Sequence, residues 1–224
     1  MTAPVPLDVV TRLARLDVCC LSDAMEALGL PSGVADGLRP VWEGAKLTGR
    51  AVTTRLAPGP PPPGTRPVHL GARAIEAADV GDVIVIDNGG REAMGSWGGL
   101  LSSAASLRDV AGVVTDGCCR DVDEARALGF AVFARAGAVR TARGRVHEES
   151  SGTPVSLSGV TVNPGDVVAA DGSGVVVIPA GHAGAVAERA ERIAHLEAGM
   201  LASLRAGTPV SEVLGASYEH LLRS

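Results

Sequence analysis

Gly112-Val113-Val114-Thr115-Asp116-Gly117-Cys118-Cys119-Arg120-Asp121-Val122-Asp123-Glu124, continuing through Leu128 and Gly129 into Phe130–Ala134, is the stretch that decides the fold. Gly112–Asp116 is a short apolar run opened by glycine, a length that suits a buried strand. Asp121–Leu128 carries charged and apolar residues at helical spacing and stops at Gly129, a helix terminator. Phe130–Ala134 is apolar again. Strand, helix and strand in such close succession imply a βαβ unit with parallel pairing.

The pattern extends on both sides. Gly81-Asp82-Val83-Ile84-Val85-Ile86-Asp87 reads as a turn into a buried strand, and Gly165-Asp166-Val167-Val168-Ala169-Ala170-Asp171 echoes it. The second copy turns through Gly172-Ser173-Gly174 into Val175–Ile178, a hairpin signal. Leu47–Leu56 reads as a strand, and Thr153–Ile178 supplies further antiparallel ones. Helical spacing covers Leu7–Leu28, with a break expected at Ser22-Asp23, and also Val68–Ala78 and Leu100–Leu107. Ala183–Arg205 is a long amphipathic helix. Pro58–Pro67 is a proline-rich loop, extended and unable to join a sheet interior. No linker divides the chain, so one mixed α/β domain over residues 1–224 is expected.

At 224 residues the chain can bury a substantial core. With 46% hydrophobic but only 2% aromatic residues, that core is built from Val, Leu, Ile and Ala. A net charge of −5, with two Trp, one Tyr and two Phe, offers neither a basic patch nor stacking surfaces for nucleic acid. No apolar run approaches the roughly 20 residues that span a bilayer. Met1–Leu16 lacks a signal-peptide pattern, so a cytoplasmic protein is expected. Cys19-Cys20 and Cys118-Cys119 lack metal or redox spacing and read as small buried residues. A reactive thiol at Cys118 or Cys119 is the alternative, since Arg120 could lower a neighbouring pKa.

In α/β sheets, ligands bind beyond the carboxyl ends of strands. Two turns there carry chemistry. Asn88–Gly99 is a glycine-rich turn entering a helix, whose free N–H groups suit an anion. Asp116–Glu124 gathers four carboxylates around one arginine, more than helix capping needs. Oxygen ligands of this kind suit a hard divalent cation, and a guanidinium suits a keto-acid carboxylate or an enolate oxygen. None of His69, His147, His182, His195 and His220 has ligand spacing.

Three motifs together resemble the RraA-like superfamily: Gly95-x-Trp97-Gly98-Gly99-Leu100-Leu101, Gly112-Val113-Val114-x-Asp116-Gly117-x-x-Arg120-Asp121, and Asp171-Gly172-x-Gly174-Val175-Val176-Val177-Ile178-Pro179. The resemblance runs from Ser22-Asp23-Ala24 to the C-terminal helix. It implies a layered αβ sandwich of the swivelling β/α type with one mixed sheet. The superfamily includes 4-hydroxy-4-methyl-2-oxoglutarate aldolases, which are class II pyruvate aldolases, and regulators of ribonuclease E activity.

By that resemblance the backbone amides of Gly98, Gly99, Leu100 and Leu101 hold the pyruvyl carboxylate. Arg120 contacts the keto oxygen, and Asp121 ligates Mg²⁺ or Mn²⁺. The implied reaction cleaves a 2-oxo acid to pyruvate through an enolate, and the same geometry decarboxylates oxaloacetate. The aldolases carry an acidic residue twenty-one positions before the arginine, where this chain has Gly99. Glu124 is the acidic substitute. The resemblance also implies a homotrimer or a hexamer built from two trimers, in which Glu197 of a neighbouring copy can reach the site. Two other readings stand beside the aldolase: a non-catalytic regulator that binds ribonuclease E, and a divergent pathway-specific lyase in the same metal pocket.

Overall fold

The computed structural model describes residues 4–65 and 68–215. The chain opens with helices α1 (Leu7–Leu13) and α2 (Val18–Ala27), then strands β1 (Arg39–Pro40) and β2 (Leu47–Pro58). Next come α3 (Ala72–Ala77), β3 (Val83–Asp87), β4 (Gly95–Trp97), α4 (Gly99–Ser106), β5 (Gly112–Thr115) and β6 (Cys118–Cys119). They are followed by α5 (Val122–Leu128), β7 (Ala131–Ala134), β8 (Ala136–Gly137), β9 (Val146–Ser151), β10 (Val155–Leu157) and β11 (Val160–Val162). The chain then runs through β12 (Val167–Asp171), β13 (Gly174–Ile178), α6 (Ala183–Arg205) and α7 (Val210–Val213).

The main sheet has the order β1-β7-β5-β3-β2-β12-β13, with β9 also paired to β2. β2, β3, β5 and β7 run parallel, as the βαβ signal requires, and β12 and β13 form the expected antiparallel hairpin. The two outer strands nearly meet. The segment before β1 lies along β13, where Ala35 N–H donates to Val175 O and Val177 N–H donates to Gly33 O. The same segment then pairs with β7 as β1. One short stretch therefore joins both margins of the sheet and nearly closes it.

Closure gives the strands two buried faces, and the period of two divides them. Val83 and Val85 point into the enclosed core with Leu47, Val114 and Phe133, whereas Ile84 and Ile86 face α3, α4 and α5 with Trp97 and Val132. A third core joins the outer side of β12 and β13 to α1, α2 and α6 through Leu21, Met25, Val186 and Ile193. The fold is mixed α/β as expected, with the sheet rolled further than a flat sandwich.

Several boundaries differ from expectation. The first helical break falls at Asp17, whose carboxylate accepts from Cys20 N–H as the N-cap of α2. Ser22 and Asp23 lie inside that helix, where their backbone groups already bond along the chain. Only Ala72–Ala77 of the segment Val68–Ala78 is helical. Pro58 ends β2, paired with Val146 at the margin where a missing N–H costs nothing, and residues 66–67 of the proline-rich loop lie outside the described residues. The glycine-rich turn contains a strand, β4, which with β6 and β8 forms a small parallel sheet. Three-residue strands are too short for periodicity to show them.

Gly49 of β2 tests the sheet's tight packing. A Cβ there would overlap the carbonyl oxygen of Gly81 and press on Val83, both fixed in the fold. Gly49→Ala is expected to lower stability by about 1–3 kcal/mol, measured as a lower urea midpoint at unchanged slope.

Candidate active site

The ends of β4 and β6 bring the two suspected turns together. Trp97 ends β4, and its indole Nε1–H donates to Ser102 Oγ in α4 at 2.9 Å, which aims the start of α4 at the neighbouring strand. Arg120 N–H donates to Trp97 O at 2.9 Å, so Arg120 leaves β6 beside the same helix entrance. The stem of Arg120 lies across Gly95, in space that any side chain at that position would fill. Among the described residues, the Arg120 guanidinium makes no hydrogen bond or ion pair, so its donor fork is free for a ligand.

Asp121 sits at the N-cap position of α5 in the left-handed region, with φ 59° and ψ 43°, and its side chain does not cap that helix. Its Oδ2 instead accepts from Gly99 N–H at 2.9 Å, across to α4. A non-glycine residue in this conformation stores about 1–3 kcal/mol of strain, and Asp tolerates it better than most. Ordinary capping therefore does not explain this carboxylate. Of the amides expected to hold an anion, that of Gly99 is already engaged. Helix geometry leaves those of Leu100 and Leu101 without intrahelical partners.

Gly99 and Glu124 share one space. A Cβ at Gly99 would coincide with Glu124 Oε2 and lie 3.1 Å from Asp121 Cβ. Glu124 thus brings an acid from α5 to the place where the resemblance expects one from α4. Asp121 lines the cavity, and Glu124 stands behind Gly99. The other two carboxylates of the turn do different work. Asp116 is buried and accepts from Asn88 N–H and Gly90 N–H, with burial pushing its carboxyl above the usual range. Asp123 is exposed beside Arg126.

The cavity measures about 540 Å³. Gly98, Gly99, Leu100, Leu101, Arg120 and Asp121 all line it. Other lining residues were not foreseen: His69, Arg73, Arg143, His147 and Glu148 reach it from α3, its approach, and the segment leading into β9. They meet because β9 pairs with the end of β2, a long-range register that carries no local signal. Glu197 lies off the cavity of its own chain, on α6 near Asp17 and Asp23, where burial and those two carboxylates raise its pKa. His220 falls outside the described residues. The thiols of Cys118 and Cys119 are not activated. Burial raises both, Cys119 to about 12, and the charge that acts on Cys119 is the carboxylate of Asp121 rather than Arg120.

The nearly closed mixed sheet thus carries, at one cavity, a helix entrance, an arginine without a partner among the described residues and the carboxylate of Asp121. The chain belongs to the RraA-like family (Aldolase/RraA), whose family description matches residues 18–177. Among relatives it is 30% identical to a candidate 4-hydroxy-4-methyl-2-oxoglutarate aldolase of Halalkalibacterium halodurans, over 83% of each chain. It is 34% identical to protein DlpA of Legionella pneumophila over 77% of its own length, which spans only 28% of that protein. A solved protein from Pseudomonas syringae superposes with a TM-score of 0.86 at 27% identity, covering 96% of this chain and 100% of the other. Streptomyces coelicolor RraAS2, described as an unusual member of the RNase ES inhibitor RraA family, superposes at 0.76 with 25% identity, over 90% and 98%.

Two outcomes follow. In native protein a thiol reagent such as DTNB should modify one cysteine per chain at the exposed Cys19, while Cys20, Cys118 and Cys119 react only after unfolding. Gly99→Ala should cost less stability when Glu124 is also changed to Ala. The coupling in that double-mutant cycle is expected at about 0.5–3 kcal/mol from urea titrations, because the new methyl and the carboxylate compete for one site.

Proposed function

We propose that this protein is a divalent-metal-dependent lyase that releases pyruvate from a small 2-oxo acid of the 4-hydroxy-4-methyl-2-oxoglutarate kind, with oxaloacetate decarboxylation as a second activity. The observation that carries the reading is Asp121, held at positive φ, bonded to the first amide of α4 and lining the same cavity as Arg120. Asp121 and Glu124 fit a hard cation such as Mg²⁺ or Mn²⁺. Both are oxygen donors beside Gly99, Asp121 Oδ2 bonded to its N–H and Glu124 Oε2 lying where its Cβ would be, and such a cation keeps several waters, so two carboxylates suffice. Among the described residues no group of three or more Asp, Glu, His or Cys gathers to hold a metal within one chain. That leaves room for Glu197 of a neighbouring copy.

The amides of Leu100 and Leu101, at the positive end of α4, take the substrate carboxylate. Arg120 then faces the 2-oxo oxygen and donates to it most strongly as negative charge builds there during C3–C4 cleavage. When bound, the cation supplies Lewis-acid polarisation of that oxygen. Trp97 and Leu101 close the apolar side of the cavity and strengthen these charge interactions by excluding water. A homo-oligomer, trimeric or hexameric, accords with the exposed apolar residues Leu100 of α4, Leu107 just after it, and Val139, at 80%, 87% and 94% exposure. The likeness to RraAS2 supports a second reading, a non-catalytic ribonuclease-binding regulator.

Purified protein given oxaloacetate with Mg²⁺ should release pyruvate, read by a coupled lactate dehydrogenase assay, and EDTA should stop it. Arg120→Ala is expected to lower kcat by about 10²–10³, and Asp121→Ala to remove the metal-dependent rate. Absence of metal-dependent release in the wild type would favour the regulator.

A further inference from the structure

The cavity wall opposite Arg120 contains a carboxylate with unused capacity. Glu148 lies in β9 directly across from Leu56 of β2, and Leu56 belongs to the core that also holds Trp97. Cross-strand partners share a face, so Glu148 is directed to the Trp97 side of the sheet. Its side chain is only 10% exposed. Its one ion pair is long: Oε1 lies 3.4 Å from an Nη of Arg73, which is itself 54% exposed. Oε2 is buried and has no hydrogen-bond partner.

A carboxylate offers about four acceptor positions, and leaving one buried without donors is costly. A pair kept for stability would close to about 2.7–2.9 Å. The terminal torsion of Glu is broad, so the carboxylate can turn without leaving its rotamer. The other acid on the cavity wall, Asp121, already spends one oxygen on Gly99 N–H. Glu148 is therefore an acceptor held out of water on the wall of the substrate cavity, with the cationic Arg73 and Arg143 on the same side.

We propose that Glu148 is the base that takes the proton from the C4 hydroxyl of a 4-hydroxy-2-oxo acid, an assignment that rests on the lyase reading above. The C4 O–H proton passes to Glu148, and the C4–O bond becomes a carbonyl. The C3–C4 bond breaks, and its electron pair stays on the pyruvyl half as an enolate whose oxygen faces Arg120. The proton held by Glu148 then returns to C3. One hydroxy acid yields pyruvate and a second carbonyl compound, with no net gain or loss of protons.

Oxaloacetate decarboxylation passes through the same enolate and has no hydroxyl proton to remove, so it separates base from scaffold. Rates on 4-hydroxy-4-methyl-2-oxoglutarate and on oxaloacetate are measured with Mg²⁺ for wild type, Glu148→Gln and Glu148→Asp. In Glu148→Gln the ratio of aldol cleavage to decarboxylation should fall about 10²–10⁴-fold, and Glu148→Asp should recover part of it. An unchanged ratio overturns the assignment, whether both rates persist or both fall together. A wild type that decarboxylates oxaloacetate but does not cleave the aldol substrate overturns it alone. A wild type that releases pyruvate from neither defeats the lyase reading and this assignment with it.

Discussion

The hydrogen bond from Gly99 N–H to Asp121 Oδ2 ties the first amide of one helix to the residue that opens the next. It links the start of α4 to the residue that follows Arg120, and it holds a carboxylate beside both. Everything proposed for the pocket presumes that connection. It is secured against the strain of a left-handed Asp121 by the packing around it: Trp97 locked to Ser102, Arg120 N–H bonded to Trp97 O, and β4, β6 and β8 drawn side by side. The small parallel sheet is thus less a structural element in its own right than a clamp on two turns.

The exchange between Gly99 and Glu124 follows from the same clamp. With α4 and α5 held this close, the space above Gly99 accommodates one acidic side chain, and here α5 provides it. An acid thus stands at the place where the resemblance implies one, although it comes from α5. A pocket can keep its electrostatics while its residues change places, provided that the two helices stay in register.

Much of this was legible in the sequence, for identifiable reasons. The strands Val83–Asp87, Gly112–Thr115 and Val167–Ile178 announce themselves by unbroken apolar runs between glycines, because a nearly closed sheet buries both of their faces. Gly98–Leu101 and Arg120–Asp121 stand out because their chemistry exceeds what turns require. The far wall of the cavity was not legible. Arg73, His147 and Glu148 are ordinary surface types by composition, and the antiparallel pairing of β9 on β2, with its register shift at Arg55 and Leu56, brings His147 and Glu148 to the cavity that Arg73 of α3 and Arg120 also line. The helical break at Asp17 was missed because Ser22 and Asp23 offer the same capping chemistry a few residues later.

The stretch Gly33–Pro40, which lies first along β13 and then along β7, has a consequence for assembly. With Gly33–Pro40 lying along both β13 and β7, the outer margins of the main sheet offer little unpaired backbone, so strand addition there is disfavoured. Contacts at those margins fall to side chains, which surface substitutions change while leaving the sheet untouched.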